Sequence, residues 1–183
     1  MTSFKSSTPL PRRSFCAQSG LLLGGLLLHS QGLSQTTSNE NRLALGFDNF
    51  SIRALGWKAE RLIEYADQQK VDSLLFSDLQ VYDSHNKQYL RDIGKEAQSK
   101  NLILHAGTGG ICPTSQSFKD TYGSAEEHLQ LLVETAHAVG SNVARCYLGS
   151  MKDRKGPGGI GKHVDSTLAI LKKIRPRALD LGV

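Results

Sequence analysis

The sequence predicts an α/β fold in which parallel strands alternate with crossover helices, and three observations support this prediction. From Leu43 onward, short apolar runs alternate with segments whose apolar residues recur at the helical period. No Gly-rich turn follows the first run, so an eight-stranded barrel is favoured over a doubly wound sheet. The roughly 140 residues after the N-terminal segment hold four such units, whereas a complete barrel needs about 250 residues. We therefore expect the first half of a TIM barrel, in a truncated reading frame or a chain whose second half is missing.

The first two units lie between residues 43 and 100. Residues 43–48 (LALGFD) and 71–77 (VDSLLFS) are predicted as buried strands, because each is a short apolar run. Each is followed by apolar residues at helical spacing, which predicts a helix that packs on the sheet. These residues are Ala59, Leu62, Ile63 and Ala66 in the first helix, and Leu90, Ile93 and Ala97 in the second.

The third and fourth units show the same order. Residues 101–106 (NLILHA) are the third predicted strand, and a loop over 107–123 ends at Ser124, which forms a capping box with Glu127. That helix is striped by Leu129, Leu132, Val133 and Ala136. Residues 142–148 (NVARCYL) are the fourth predicted strand. We expect the fourth helix to end near Arg175, before Pro176, and residues 178–183 (ALDLGV) to begin a fifth strand.

The N-terminal segment predicts an export signal. Arg12 and Arg13 precede an uncharged apolar run over residues 21–28, which is too short to span a bilayer, since spanning takes about 20 residues. The paired arginines are typical of twin-arginine export to the periplasm. We therefore divide the chain into a signal at 1–35, a polar linker at 36–42 and a half-barrel at 43–183.

Composition and charge exclude several classes of protein. The 183 residues are 39% apolar and 21% charged, with 18 Gly and 5 Pro, which argues against a disordered, collagen-like or disulfide-rich chain. The formal charge is +5, but residues 1–35 hold three basic residues and no acid, so the rest carries +2. This balance does not indicate a nucleic-acid partner.

Two cysteines follow the signal, Cys112 and Cys146, and we expect free thiols, with a disulfide between them left open. The sequence contains no Cys-x-x-Cys pair, so it does not indicate a structural zinc site. Residues 156–163 (GPGGIGKH) nearly match a phosphate loop, but His163 stands where Ser or Thr must hold magnesium, so a basic loop is favoured over nucleotide hydrolysis.

Polar residues at the predicted strand ends are the candidate site, because functional groups in parallel α/β folds lie at the carboxyl ends of strands. We expect catalysis at His105, which lies at the carboxyl end of the third strand and precedes three glycines. The histidines His85, His128 and His137 lie on or beside helices and are expected to be solvated. Substrate binding is assigned to Asp48, Asn49, Asp78, Arg145 and Tyr147. Arg145 should meet an acid, Asp48 or Asp78, or an anionic ligand, since a buried unpaired cation is costly.

Four segments resemble the exported sugar phosphate isomerase/epimerase proteins of the xylose-isomerase-like TIM-barrel family. They are residues 45–58 (LGFDNFSIRALGWK), 74–79 (LLFSDL), 104–110 (LHAGTGG) and 144–149 (ARCYLG). The resemblance covers residues 43–183 and implies a divalent metal (Mn, Mg, Co or Zn) that polarises a sugar while carboxylates move a proton. Its metal ligands belong to strands five to eight, outside this chain. Within the resemblance, His105 matches a histidine after strand three and Arg145 a basic residue on strand four.

The favoured function is thus a metal-dependent sugar isomerase or epimerase that acts on a small sugar or polyol, incomplete in this chain. The alternative is a non-catalytic half-barrel that binds carbohydrate or a partner. Nuclease-like lyase chemistry is weaker, because it needs several zinc-binding histidines and only His105 is in place. No stable membrane span is expected, and the open edges of the outer strands invite self-association.

Overall fold

The computed structural model of the chain describes residues 42–183. The predicted export signal, and all of the predicted linker except Arg42, lie outside the described residues. None of the helices in the described part has the length and hydrophobicity that a transmembrane segment needs.

Four parallel strands form one sheet in the order 1-2-3-4, with a helix after each strand. The strands are β1 (Gly46–Asp48), β2 (Ser73–Phe76), β3 (Ile103–Gly110) and β4 (Ala144–Tyr147). The helices are α1 (Ala59–Gln68), α2 (Lys87–Ser99), α3 (Ala125–Ala138) and α4 (Gly159–Asp180). Short 3₁₀ turns cover Asn49–Leu55, Leu79–Val81 and Met151–Lys155. This alternation confirms the predicted fold class.

The strands differ in length from the predicted ones, and hydrogen bonding explains two of the differences. β1 starts three residues late because the amide of Leu45 donates to the Asp72 carboxylate, 2.7 Å away, instead of joining the ladder. β3 runs four residues further than predicted, to Gly110, because β4 pairs with it from Ala106 onward after β2 has ended. His105 is therefore the third residue of β3 and not, as predicted, the residue at its end.

The core lies between the sheet and the helix layer. Leu74 and Phe76 of β2 are fully buried, as is Ala106 of β3, and Leu104 nearly so. The predicted helix stripes are confirmed, because each of their residues is at least 97% buried against these strands. The capping box of α3 is confirmed as well: Ser124 Oγ accepts from the amide of Glu127, whose carboxylate accepts from the amide of Ser124.

The fifth strand predicted at residues 178–183 is wrong. Helix α4 continues through Pro176 to Asp180. Ala178, Leu181 and Val183 pack against the core, so their apolar pattern serves a helical turn and the residues after it. His137 also donates from Nδ1 to the carbonyl of Leu181 at 2.8 Å, which fixes the helix end on α3. These contacts compensate for the helical hydrogen bond that Pro176 cannot donate, because proline has no backbone N–H group.

Asp153 joins the two loops that follow β3 and β4. Its carboxylate accepts from Ser115 Oγ at 2.7 Å, from the amide of Ser150 at 2.6 Å and from the amide of Gln116 at 3.0 Å. The side chain is 4% exposed. The hydrogen bonds from Ser115 and from the two amides hold the pKa of this carboxyl well below its usual range.

We predict that the Asp153 contacts make the fold acid-sensitive. Because the pKa is lower in the folded chain than in the unfolded one, the stabilisation is present above about pH 4 and is lost as the pH falls from there towards the lower folded value. Asp153→Asn should lower the melting temperature at pH 7 and flatten its decline between pH 5 and pH 3, as followed by circular dichroism. Asp165→Asn, at an exposed position of α4, is the control. An equally steep decline in Asp153→Asn and wild type would contradict the prediction.

Candidate functional site

An ion pair joins the two outer strands at the carboxyl ends of the sheet. Arg145 Nη2 of β4 lies 3.8 Å from Asp48 Oδ2 of β1, and Arg145 Nη1 donates to the carbonyl of Thr108 at 3.4 Å. In a flat sheet these strands would be about 14 Å apart, three spacings. The pair therefore brings the side chains of the two outer strands together on one face of the sheet, which we call its concave side. Both side chains keep about a third of their surface exposed, so a ligand can reach them.

Three glycines of β3 lie beside the β4 side chains on this concave side. A Cβ on Gly107 would lie 3.5 Å from Arg145 Cδ, and one on Gly110 would lie 3.3 Å from the ring of Tyr147. Tyr147 remains 48% exposed. Its ring therefore lies as an accessible surface beside Gly109 and Gly110, with the Arg145 guanidinium 5.7 Å from the ring centroid. A flat aromatic face of this kind suits the apolar face of a sugar ring.

His105 shares the concave side. It pairs in register with Leu75, which pairs with Asp48, and it precedes Gly107, the register partner of Arg145, by two residues. Alternation along the strands thus places His105, Asp48 and Arg145 on one face. The ring is half-buried, and its Nδ1 has no hydrogen-bond partner among residues 42–183. This nitrogen is a buried polar atom that the described part of the fold leaves without a partner, on the face that carries the Asp48–Arg145 pair.

The other two predicted binding residues serve the protein itself. Asn49 Oδ1 accepts from the amide and the hydroxyl of Ser77, at 2.8 and 2.9 Å, which ties the ends of β1 and β2 together. Asp78 accepts from the amide of Gln80 at 2.9 Å and begins the short turn after β2. Of the two acids predicted to meet Arg145, the structure brings Asp48 and not Asp78 to it.

His128 is buried, so its predicted solvation is wrong. Only 5% of it is exposed, and its Nε2 is hydrogen-bonded to Thr108 Oγ1 at 2.6 Å, with the Tyr122 ring 4.9 Å away. Burial lowers the pKa of His128, and the charge of Asp78 opposes that shift. Burial and the same charge raise the pKa of Tyr122 to about 12. His128 therefore supports β3 from behind, through the residue whose carbonyl holds Arg145.

The remaining predicted features fall outside the concave site. His85 is half-buried and lies edge-on to Tyr122, whereas His137 is exposed, as predicted. Cys112 and Cys146 are both free thiols. Gly161, Lys162 and His163 lie inside α4, so this segment does not form a loop around a phosphate.

The comparisons with known proteins support the fold. The chain is similar to a solved structure described as "Crystal structure of D-psicose 3-epimerase (DPEase) in the presence of D-fructose", with a TM-score of 0.55 and 16% sequence identity. The match covers 77% of this chain and 50% of that one, so the chain spans about half the length of the structure it matches. No family model matches the chain. No curated protein matches it either. Four parallel strands with their helices are thus part of a TIM-barrel fold.

Proposed function

We propose that this chain forms the sugar-binding half of an isomerase or epimerase barrel and binds its substrate on the concave side of the sheet. The observation that carries the proposal is the Asp48–Arg145 ion pair, exposed to solvent and lying on the same face as His105. Asp48 can accept hydrogen bonds from sugar hydroxyls, Arg145 can donate to hydroxyl or carbonyl oxygens, and Tyr147 offers its ring to the sugar. A ketose is the substrate class we favour, since the similar structure is an epimerase described with D-fructose.

His105 is the residue we propose for proton transfer. Isomerisation beside a carbonyl requires that a proton leaves one carbon and returns to another position, which a neutral imidazole can mediate. The divalent metal implied by the family resemblance has no fitting donor set in the described part: residues 42–183 contain no group of three or more His, Cys, Asp or Glu arranged to hold an ion. No step is therefore assigned to a metal here.

A second candidate, non-catalytic binding of a carbohydrate, is favoured by one observation. Arg145 and Asp48 neutralise each other and flank a single histidine on the concave face, which suits recognition of a neutral ligand without providing a second acid or base. Turnover separates the candidates: epimerisation or isomerisation of a bound ketose, followed by NMR, supports the enzyme, and binding without turnover supports the binding protein.

Sugar binding itself is tested by saturation-transfer NMR on the purified chain with D-fructose. We expect signals from the sugar, and an affinity about tenfold lower in Arg145→Met, because the loss of one charge-assisted hydrogen bond costs about 1.5 kcal/mol or more. Arg91→Met is the matched control, since Arg91 is exposed on α2 and bonds only to Gln88 among residues 42–183. Equal binding by wild type and Arg145→Met would reject the concave site.

Two further expectations from the sequence stand as proposals. We propose that the chain is exported to the periplasm, and fractionation of cells that carry Arg12→Lys with Arg13→Lys tests this, because export should fail in the variant.

We also propose that copies associate through the outer edges of β1 and β4, which pair with no further strand among residues 42–183. A monomer by sedimentation at high concentration would reject that association.

A further inference from the structure

A second polar cluster lies between the loop after β3 and the first turns of α4. Cys112 Sγ is 3.6 Å from His163 Nδ1, and Thr114 Oγ1 is 2.9 Å from the same nitrogen. The thiol also lies 3.2 Å from Thr114 Oγ1. Cys112 is fully buried and His163 is 7% exposed. The cluster shares no residue with the concave site, and the proposed sugar chemistry makes no use of it.

The hydroxyl of Thr167 belongs to the same cluster and is a further donor for an anion at Cys112. Thr167 lies one helical turn after His163, is 4% exposed, and its buried Oγ1 has no hydrogen-bond partner among residues 42–183. A buried unpaired hydroxyl costs about 1 to 3 kcal/mol. The Thr167 hydroxyl gains an acceptor when Cys112 loses its proton, because a thiolate accepts hydrogen bonds from several donors at once. Thr114, Thr167 and His163 supply three such donors.

Cys112 is more acidic than the other thiol, Cys146, as expected from the donors that surround Cys112. Burial raises the pKa of Cys112, but the neighbouring groups of Thr114, Thr167 and His163 outweigh burial and lower the pKa to about 7. Cys146, half-buried on β4, has no such group of donors among residues 42–183, and burial raises its pKa above the usual value although the charge of Arg145 opposes that shift. At neutral pH Cys112 is thus the better nucleophile.

His163 separates the buried sulfur from a surface cavity. The cavity has a volume of about 210 Å³ and is lined by His163, Gly149, Ser150, Asp153 and Arg154 together with the apolar Leu148, Met151 and Ile160. A water molecule occupies about 30 Å³ in the liquid, so a small hydroperoxide fits easily. Asp153 is held ionised by its loop contacts, and Arg154 contributes the other charge on the wall. Cys112 itself does not line the cavity, so a reagent in the cavity meets the thiol only when the His163 side chain moves.

We propose that Cys112 is a peroxide-reactive thiol, with His163 and the hydroxyls of Thr114 and Thr167 stabilising its anion. The sulfur attacks one oxygen of the hydroperoxide, an S–O bond forms and the O–O bond breaks. The sulfur is oxidised by two electrons to a sulfenic acid, and the peroxide is reduced to water or an alcohol. The leaving oxygen takes a proton from the His163 imidazole or from the cavity water, and the sulfenic acid keeps the hydrogen that its oxygen carried in the hydroperoxide.

The test is trapping of sulfenic acid in the full chain with dimedone under limiting hydrogen peroxide. Trypsin places Cys112 on the peptide 101–119 and Cys146 on the peptide 146–152, so mass spectrometry reads each rate separately. We expect Cys112 to react about tenfold faster than Cys146, or more, at pH 7.5, with half-maximal rate near pH 7. In His163→Gln the Cys112 rate should fall to that of Cys146.

Thr167→Val is the second variant, in case His163→Gln does not fold. It removes the unpaired hydroxyl at nearly constant volume, so it should melt at or above the wild-type temperature while the Cys112 rate falls and its pH midpoint rises. Labelling of Cys112 only after the chain is denatured would overturn the proposal. So would a Cys112 rate that neither variant changes, because a thiol that is merely packed would behave in that way.

Discussion

Gly107→Ala is expected to lower the free energy of unfolding by about 1 to 3 kcal/mol, the usual cost of forcing extra volume into a packed interior. A Cβ at this position would lie 2.7 Å from the carbonyl oxygen of Phe76 and 3.3 Å from the Cα of Ser77. Both atoms belong to the backbone of β2 or its end, so they cannot rotate away. The two strands must therefore separate locally. In thermal melts we expect a decrease of about 3 to 10 °C.

Gly109→Ala is the matched control for this prediction. It makes the same chemical change two residues further along β3, where the nearest atom to the new Cβ is the hydroxyl oxygen of Tyr147 at 3.4 Å. That contact is near ordinary van der Waals distance, and a side chain can adjust to it. Neither glycine has a positive φ, so alanine is not strained by the backbone at either position. Equal melting temperatures for the two variants would show that β2 and β3 are less closely packed here than the distances require.

The fold was predictable from the sequence wherever a periodic pattern met a clear end signal. The stripe of Ala59, Leu62, Ile63 and Ala66 repeats at the helical period, and the Ser124–Glu127 capping box marks the start of α3 by local chemistry alone. Prediction failed where one apolar pattern is compatible with two kinds of secondary structure. The short apolar segment 178–183 suits a strand as well as a helix end, and only its packing against the core decides between them. Likewise β3 extends through three glycines because β4 pairs with it, although glycine by itself disfavours strands.

The positions of the candidate site residues were predictable from the sequence, whereas most of their contacts were not. Strand ends and alternation were enough to select Asp48, His105 and Arg145, since both depend on position along the chain. His128 was missed although a signal existed: it falls four residues before Leu132, within the buried stripe of α3. The Cys112–His163 contact joins residues 51 positions apart because the loop after β3 packs on the first turns of α4, and no local pattern in the sequence encodes such a contact.

His105→Ala is expected to lower the affinity for sugar on the concave side at least tenfold, while it leaves the melting temperature nearly unchanged. The ring is half-buried and its Nδ1 has no partner among residues 42–183, so truncation breaks no hydrogen bond at that nitrogen. The stability of the fold therefore does not depend on a hydrogen bond from this nitrogen, and a large effect of the change on sugar affinity would assign the ring to the ligand. The measurements are saturation-transfer NMR with D-fructose and thermal unfolding followed by circular dichroism.

His128→Ala should give the opposite result, and the contrast decides between a ligand-binding and a structural histidine. His128 belongs to α3, which packs on the side of β3 opposite the concave side. Truncation of His128 leaves the buried hydroxyl of Thr108 without its 2.6 Å hydrogen bond. The loss of that bond alone costs about 1 to 3 kcal/mol, or a decrease of several degrees in melting temperature, and the Tyr122 contact is lost with it. Sugar affinity per folded molecule should change little. If His105→Ala instead lowered the melting temperature as far as His128→Ala and kept its affinity for the sugar, His105 would be a core residue, and the proposed proton transfer would have no group to perform it.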